Sequence, residues 1–181
     1  MQYPDEKILI VEDSRFNAQI LSKAVSSLAP VSIASTGTQA LEMMGKEDFD
    51  VVLLDIMLPD VDGFEICRRT VESGKEPLPA IIFVTSKDEA EEEEKGLSLG
   101  AVDYLYKPIV ASIVRARVNN HLQLSRARRE LLSANEELTR LSSTDPLTGV
   151  FNRRHFFEVM EKEISRAERY KQDYALLALD L

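Results

Sequence analysis

The sequence predicts an α/β protein in which a five-stranded, doubly wound parallel sheet is covered by helices on both faces. Short apolar runs recur along the first 110 residues, amphipathic segments separate them, and polar or turn residues follow each run. The most informative run is Val51 to Leu54, four apolar residues followed at once by Asp55. A strand that is apolar on both faces is typical of the centre of a parallel sheet.

The predicted strands lie near residues 7–11, 31–34, 51–54, 80–84 and 102–106. Helices are predicted to follow Ser14 and Thr36, to begin at Gly63 and to cover residues 88–99. Phe16 is expected on the apolar face of the first helix. Strands that alternate with helices are joined by right-handed crossovers, which place the carboxyl ends of all strands at one edge of the sheet.

Composition and charge disfavour several classes of protein. The 181 residues carry a net charge of −9, and residues 1–110 hold 10 Lys and Arg against 21 Asp and Glu, which argues against nucleic-acid binding by this part. No run approaches the ~20 apolar residues of a membrane span, and the first residues lack the pattern of a signal peptide. Cys67 is alone, which fits a reducing compartment. We therefore expect a cytoplasmic protein with neither nucleic acid nor membrane as a partner.

Polar side chains follow the strands at the edge where ligands bind in sheets of this type. They are an acidic pair, a third carboxylate, a hydroxyl and an ammonium group: Glu12, Asp13, Asp55, Thr85 and Lys107. Clustered carboxylates stay ionised beside a cation, and an all-oxygen donor set suits Mg²⁺. A carboxylate in such surroundings can act as a nucleophile toward phosphorus. For Asp55 alone, the alternative is a cap of the following helix.

Residues 6–120 resemble the receiver domain of two-component response regulators, which has a flavodoxin-like fold. The resemblance rests on Ile-Leu-Ile-Val-Glu-Asp, Leu-Leu-Asp-Ile-Met-Leu-Pro-Asp-Val-Asp-Gly, Ile-Phe-Val-Thr-Ser and Gly-Ala-Val-Asp-Tyr-Leu-Tyr-Lys-Pro. It implies that Asp55 accepts a phosphoryl group from a histidine kinase or a phosphotransfer protein. It also implies that Thr85 and Lys107 hold the phosphoryl oxygens. The implied Mg²⁺ ligands are Glu12, Asp13, Asp55 and the backbone carbonyl of Met57.

The resemblance also implies a conformational switch. Tyr104, three residues before Lys107, falls at the position of the family's switch aromatic. Its ring is expected to fill the space that Thr85 vacates when the hydroxyl moves toward the phosphate, and the fourth helix, fifth strand and fifth helix then repack. A homodimer through that face is the expected consequence. The alternative for Tyr104 is a half-buried aromatic residue of the strand.

From Ile109 the pattern is helical, and neither Gly nor Pro interrupts it before Pro146. Leucines recur every seven residues, with polar residues three positions before each: His121, Leu124, Arg128, Leu131, Asn135 and Leu138. This heptad pattern predicts a two-chain coiled coil over residues 121–143, in which Asn135 fixes the register. The alternative is a single solvated helix.

Residues 144–181 resemble the start of a GGDEF diguanylate cyclase domain, through the motif Asp-Pro-Leu-Thr-Gly-Val-Phe-Asn-Arg-Arg. Asp145 is expected to cap a helix, and residues 174–181 to form a strand. The resemblance makes Asp180 a Mg²⁺ ligand of this fragment of an α+β domain. The family's Gly-Gly-Asp/Glu-Glu-Phe signature is absent from the 181 residues, so we expect no cyclase activity from this chain. The expected parent makes cyclic di-GMP from GTP as a dimer.

The chain is thus predicted to contain a receiver domain (1–120), a coiled-coil connector (121–143) and the N-terminal fragment of a GGDEF domain (144–181). The leading hypothesis is a phosphorylation-controlled receiver that drives dimerisation of a cyclase output. The alternative is a stand-alone receiver that docks a partner protein. An aspartyl-phosphate phosphatase is disfavoured because Met57 stands where that class has a second Asp. A flavodoxin-like nucleotide binder is disfavoured because no Gly-rich loop follows the first strand.

Overall fold

A computed structural model describes residues 6–75, 77–86, 90–145, 147–171, 173 and 175–176, without the side chains of residues 90–93, 136–137 and 139–142. Its strands are β1 (Ile8–Val11), β2 (Val31–Ala34), β3 (Val51–Asp55), β4 (Ala80–Thr85) and β5 (Asp103–Tyr106). Its helices are α1 (Arg15–Val25), α2 (Gly37–Lys46), α3 (Gly63–Glu72), α4 (Ala90–Ser98), α5 (Ala111–Ser143) and α6 (Arg153–Tyr170).

The five strands form one parallel sheet in the order β2-β1-β3-β4-β5, which confirms the predicted fold class. The strand order reverses between β1 and β3. Ligands bind at the carboxyl ends of the strands beside such a switch point. Because β3 is the central strand and ends at Asp55, that residue lies at the middle of the sheet edge.

Two apolar layers cover the faces of the sheet. Alternate residues of β1 and β3, such as Leu9 and Val52, pack in one layer with Ile66 of α3. Ile10 and Leu53 point to the other layer, which α1 and α5 supply with further side chains, among them Leu21, Val114, Val118 and Leu122. These residues are almost fully buried, and each large one contributes about 1.5–3 kcal/mol to the free energy of unfolding.

The buried face of α1 differs from the prediction. Phe16 is 71 % exposed, whereas Ala18, Leu21 and Val25 face the core. These three residues follow the i, i+3, i+7 spacing of one helix face, and Phe16 lies about 140° away from Leu21 around the axis. The expectation that Phe16 belongs to the core is therefore wrong.

The first half of α5 packs on the receiver through apolar and polar contacts. Nε of Arg115 donates to the carbonyl of Ala24 over 3.0 Å. Nε2 of His121 lies 3.4 Å from Oδ2 of Asp103, a residue that also pairs with Arg117. His121 is therefore turned toward Asp103, although the heptad pattern assigned it to the seam. Among the described residues of the helix, the exposed leucines begin at Leu124.

The chain divides into two compact units, residues 1–127 and residues 128–181. In the second unit, Thr144 and Phe151 form an antiparallel bridge, and the amide of Asn152 donates to the carbonyl of Ser143 over 2.7 Å. No helix in the described ranges combines the length and apolarity of a membrane span.

The predicted helix start at Asp145 is wrong. Asp145 accepts hydrogen bonds from the amides of Leu147 and Thr148, so its side chain closes a turn. The helix begins at Arg153, where Oδ1 of Asn152 accepts from the amide of His155. The predicted strand over residues 174–181, with Asp180, lies outside the described residues except at positions 175–176, which are not in a strand.

Candidate phosphoacceptor and metal site

The ends of β1, β3 and β5 bring an ammonium group between two carboxylates. Nζ of Lys107 lies 2.6 Å from Oδ2 of Asp55 and 2.9 Å from Oε2 of Glu12. The side chains of Asp55 and Glu12 are only 6 % and 1 % exposed. Parallel pairing explains the convergence, because the last residue of β1 faces Leu54 in β3 and the next residues emerge at the same edge.

Three carboxylates gather at this edge. Glu12, Asp13 and Asp55 each offer an oxygen that lies within 4.8 Å of the others, and Asp13 is exposed while its two neighbours are buried. Oε1 of Glu12 accepts from the side-chain amide of Asn17 over 3.0 Å. Oε2 of Glu12 is buried and forms an ion pair with Lys107, but it accepts no well-aligned hydrogen bond. An all-oxygen donor set with a buried free lone pair and an exposed side fits a hard divalent cation.

Burial and neighbouring charges shift the pKa values of Glu12 and Lys107. Burial raises the pKa of Glu12, an effect that the hydrogen bond from Asn17 and the nearby Lys107 ammonium group only partly oppose. Burial alone would lower the pKa of Lys107, but its hydrogen bond to Asp55 and its ion pairs with Asp55 and Glu12 outweigh burial and raise it. Lys107 therefore stays protonated near neutral pH and supplies a fixed positive charge at the edge of the sheet.

The loop from Ile56 to Gly63 holds Asp55 in place. Oδ1 of Asp55 accepts from the amide of Met57 over 3.0 Å, and the amide of Gly63 donates to the carbonyl of Ile56. A Cβ atom at Gly63 would lie 2.5 Å from the carbonyl oxygen of Asp55. Only glycine lets α3 begin this close to the end of β3.

Asp60 fastens the same loop to α2. Its carboxylate accepts from the amide of Gly37 over 2.8 Å, from the amide of Thr38 over 2.9 Å and from the hydroxyl of Thr38 over 2.7 Å. The hydrogen bonds from Thr38, with that from Gly37, hold the pKa of Asp60 well below its usual range. A carboxylate at a helix N-terminus satisfies free amides and complements the helix dipole.

Thr85 and Tyr104 occupy neighbouring strands behind the site. Thr85 is buried at the end of β4, and its carbonyl accepts from the amide of Lys107 over 2.8 Å. Tyr104 is 3 % exposed, and its ring lies 5.3 Å from that of Phe83. The Tyr104 hydroxyl occupies the space that a Cβ atom at Gly96 would need. The Tyr104 ring is thus inside the protein in this structure.

Three of the residues that shape this edge escaped the sequence analysis: Asn17, Asp60 and Gly96. Asn17 could have been found, because it follows Glu12 by five residues at the start of the predicted helix. Asp60 and Gly96 act on partners 22 and 8 residues away across the fold, which no local pattern reveals.

Comparison with known proteins identifies the class. The model of the response regulator receiver domain matches residues 8–119, and that of the diguanylate cyclase GGDEF domain matches residues 142–181. The chain therefore belongs to the response regulator family, and it carries a GGDEF fragment after the receiver, as the motifs predicted.

Curated relatives agree with this assignment. The chain is 30 % identical to the response regulator MprA of Mycobacterium leprae over 96 % of its own length and 71 % of the relative's. It is 29 % identical to a probable cyclic di-GMP phosphodiesterase of Vibrio cholerae, again over 96 % of its length but only 45 % of the relative's. It is 36 % identical to the transcriptional regulatory protein PcoR of Escherichia coli and spans about half of that relative.

Solved structures show the same fold. The BeF3-activated DrrB receiver domain is 36 % identical and matches 65 % of this chain and 97 % of its own length, with a TM-score of 0.60. A CheY-like receiver domain protein from Methanospirillum hungatei is 26 % identical, matches 68 % and 98 % of the two chains, and has a TM-score of 0.63.

Proposed function

We propose that this response regulator accepts a phosphoryl group on Asp55 from a histidine kinase or a phosphotransfer protein, with Mg²⁺ as its cofactor. The observation that supports the proposal most directly is the buried ion pair of Lys107 with Asp55, 2.6 Å long, beside two further carboxylates. Glu12 and Asp13, together with Asp55 and the backbone carbonyl of Met57, would hold the ion. Bound Mg²⁺ would neutralise phosphoryl oxygens during transfer.

The residues of the site suit an in-line transfer. An oxygen of Asp55 forms a bond to phosphorus while the bond between phosphorus and the donor's histidine nitrogen breaks. Lys107, released from the Asp55 carboxylate, moves its charge to the phosphoryl oxygens, which carry more negative charge. Thr85 offers its hydroxyl to one of those oxygens. Tyr104 and the α4–β5–α5 face then take up a second arrangement.

The phosphorylated receiver is proposed to associate with a second copy. Leu124, Leu131 and Leu138 are 64 %, 71 % and 66 % exposed on α5, which leaves the predicted heptad stripe uncovered. Such a stripe is stabilised when a second helix covers it. Further apolar side chains are exposed on the receiver face, namely Leu97, Tyr106, Val110 and Ile113. The seam and this face together are the proposed dimer contact.

The output is proposed to be cyclic di-GMP synthesis from GTP by a longer parent protein. The GGDEF match to residues 142–181 supports synthesis. The similarity of 96 % of this chain to 45 % of a probable cyclic di-GMP phosphodiesterase supports only a connection with cyclic di-GMP, since that relative is named for its breakdown. Because two GTP molecules condense, a switch that brings two cyclase domains together would control the product. In this view the receiver and connector regulate the domain that residues 144–181 begin, with Asp180 as one of its Mg²⁺ ligands.

The phosphoryl transfer is tested by incubating the chain with acetyl phosphate and Mg²⁺ and measuring its intact mass. We expect the mass of one phosphoryl group to be added, and neither Asp55→Asn nor omission of Mg²⁺ should give the adduct. The control Asp48→Asn removes an exposed carboxylate that pairs with Lys75 and should behave like the wild type. An adduct that survives Asp55→Asn would contradict the proposal.

The dimer switch needs a separate measurement. Molar mass by light scattering, over a concentration series with and without phosphorylation, should show stronger association of the phosphorylated chain. A chain that remains monomeric in both states at high concentration would remove the proposed coiled coil and leave the stand-alone receiver as the better hypothesis.

A further inference from the structure

An ion pair between Glu6 and Arg126 holds α5 against the receiver, at the edge of the sheet opposite Asp55. Glu6, two residues before the start of β1, is fully buried. Its two carboxylate oxygens accept from Arg126, one from Nε over 2.5 Å and the other from Nη2 over 2.6 Å. A bidentate pair of this kind fixes both distance and orientation of the two side chains.

A second contact lies one residue away on the same helix. The hydroxyl of Ser125 donates to Oδ1 of Asp50 over 2.9 Å, while Oδ2 of Asp50 accepts from the amide of Lys7 over 3.0 Å. The backbone carbonyl of Asp50 accepts from the amide of Ala80. Asp50 therefore links the beginnings of β1, β3 and β4 to α5, and we call the four residues Glu6, Asp50, Ser125 and Arg126 the junction.

Three of the four junction residues lie outside the part of the chain that the family model matches. The family match covers residues 8–119, so Glu6 precedes it and Ser125 and Arg126 follow it. A fully buried carboxylate is strongly destabilising unless it is paired. The pair therefore makes the segment before β1 and the start of the connector depend on each other.

The junction also determines which side of α5 faces outward at residues 124–126. At 100° per residue, Arg126 and Leu124 lie about 200° apart around the helix. Leu124 is 64 % exposed, while Arg126 reaches the buried Glu6. With Arg126 held against the receiver, Leu124, the first leucine of the predicted stripe, is directed toward solvent.

We propose that the junction couples the receiver to the connector: it anchors the first turns of the connector helix, and it is required for phosphorylation to change the association of that helix. The second part rests on the proposed phosphorylation-controlled dimer. Asp50 and Asp55 are at opposite ends of β3, about 17 Å apart along the strand, so junction variants leave the phosphoryl chemistry untouched.

The test compares Glu6→Gln with Glu130→Gln in the full chain. Both variants remove one carboxylate, but Glu6 is buried in the junction, whereas Glu130 is exposed one turn beyond Arg126 on the same helix. Ser125→Ala is the milder junction variant and is used alone if Glu6→Gln fails to fold by circular dichroism. Three quantities are measured: the mass adduct formed with acetyl phosphate and Mg²⁺, the amide exchange rates of residues 120–127, and the dimer dissociation constant with and without phosphorylation.

We expect Glu6→Gln to form the same adduct as the wild type while exchange over residues 120–127 becomes about tenfold faster, since local opening no longer breaks the ion pair. The effect of phosphorylation on the dissociation constant should shrink at least about fivefold, which would abolish a coupling at the lower end of the usual allosteric range. Glu130→Gln should match the wild type in all three quantities.

Wild-type exchange rates in the junction variants would overturn the anchoring role. An unchanged association response in variants with faster exchange would overturn the coupling role. If the wild type itself forms no adduct, or forms one without a change in association, the proposed function fails and the coupling role with it. The exchange rates then still decide whether the junction anchors the helix.

Discussion

The hydroxyl of Tyr104 fills the space that a side chain at Gly96 would occupy, so α4 and β5 can pack in this way only with glycine at position 96. The ring of Phe83 also approaches this position, with Cε2 2.8 Å from where the Cβ atom would lie. The absence of one methyl group therefore provides the pocket for the aromatic ring that is proposed to switch.

Gly96→Ala should lower the free energy of unfolding by about 1–3 kcal/mol, because the added methyl group displaces Tyr104 or α4. The matched control is Gly45→Ala. Gly45 is also helical, but nothing lies within 4 Å of its added Cβ, so this variant should gain up to about 1 kcal/mol from helix propensity. Urea denaturation measures both. A Gly96→Ala variant that is stabilised as much as Gly45→Ala would show that the Tyr104 ring does not lie against Gly96.

Lys107→Met should slow phosphorylation by acetyl phosphate roughly 10²-fold, the usual cost of losing one charged group that stabilises a transition state. Binding of Mg²⁺ should be retained, because Lys107 competes with the cation for the carboxylates. Isothermal calorimetry measures the binding and mass spectrometry the rate. Lys75→Met removes a lysine that pairs with Asp48 on the surface and should leave both quantities unchanged. Loss of Mg²⁺ binding in Lys107→Met would contradict the assigned roles.

The lowered pKa of Asp60 should make the free energy of unfolding depend on pH. Its pKa in the folded chain lies below the ordinary value of 3.8, so the ionised form stabilises the fold. That contribution is fully present above the unfolded pKa and is lost as the pH falls from 3.8 toward the lower folded pKa. The difference in unfolding free energy between wild type and Asp60→Asn should therefore be constant above about pH 5 and shrink below about pH 4. Urea denaturation at a series of pH values tests this, and a difference independent of pH would contradict it.

Leu131→Lys should weaken or abolish association of the phosphorylated chain, because a charged group in a heptad seam leaves its partner leucine without apolar contact. Gln123→Lys adds the same charge at an exposed position outside the seam and should dimerise as the wild type does. Sedimentation velocity of the phosphorylated variants measures the difference. Equal dissociation constants for the two variants would place the dimer contact elsewhere.

The sheet and most of its helices could be predicted because their signals are local. Apolar runs such as that before Asp55 reveal a central strand, and parallel pairing then dictates that Asp55 and Lys107 meet. Phe16 was misplaced because a single apolar residue at the start of a helix does not determine which face is buried. The start of α6 was misplaced because Asp145 suits a turn as well as a helix cap.

Contacts between distant segments could not be predicted from one sequence. Glu6 and Arg126 are 120 residues apart, and neither residue type indicates burial. Asp60 meets Thr38 across 22 residues, in a loop whose course depends on the packing of α2 against α3. In both cases the partner is selected by the folded geometry, and periodicity along the chain contains no information about it.

The dependence of Glu6 on Arg126 bears on how this protein can be divided. Leu122, Ser125 and Arg126 all follow residue 119, so a chimera spliced after that residue would lack a core leucine and would leave the buried Glu6 carboxylate without Arg126. A fusion of this receiver to a foreign effector domain should therefore fold and signal only when it contains all of residues 6–126.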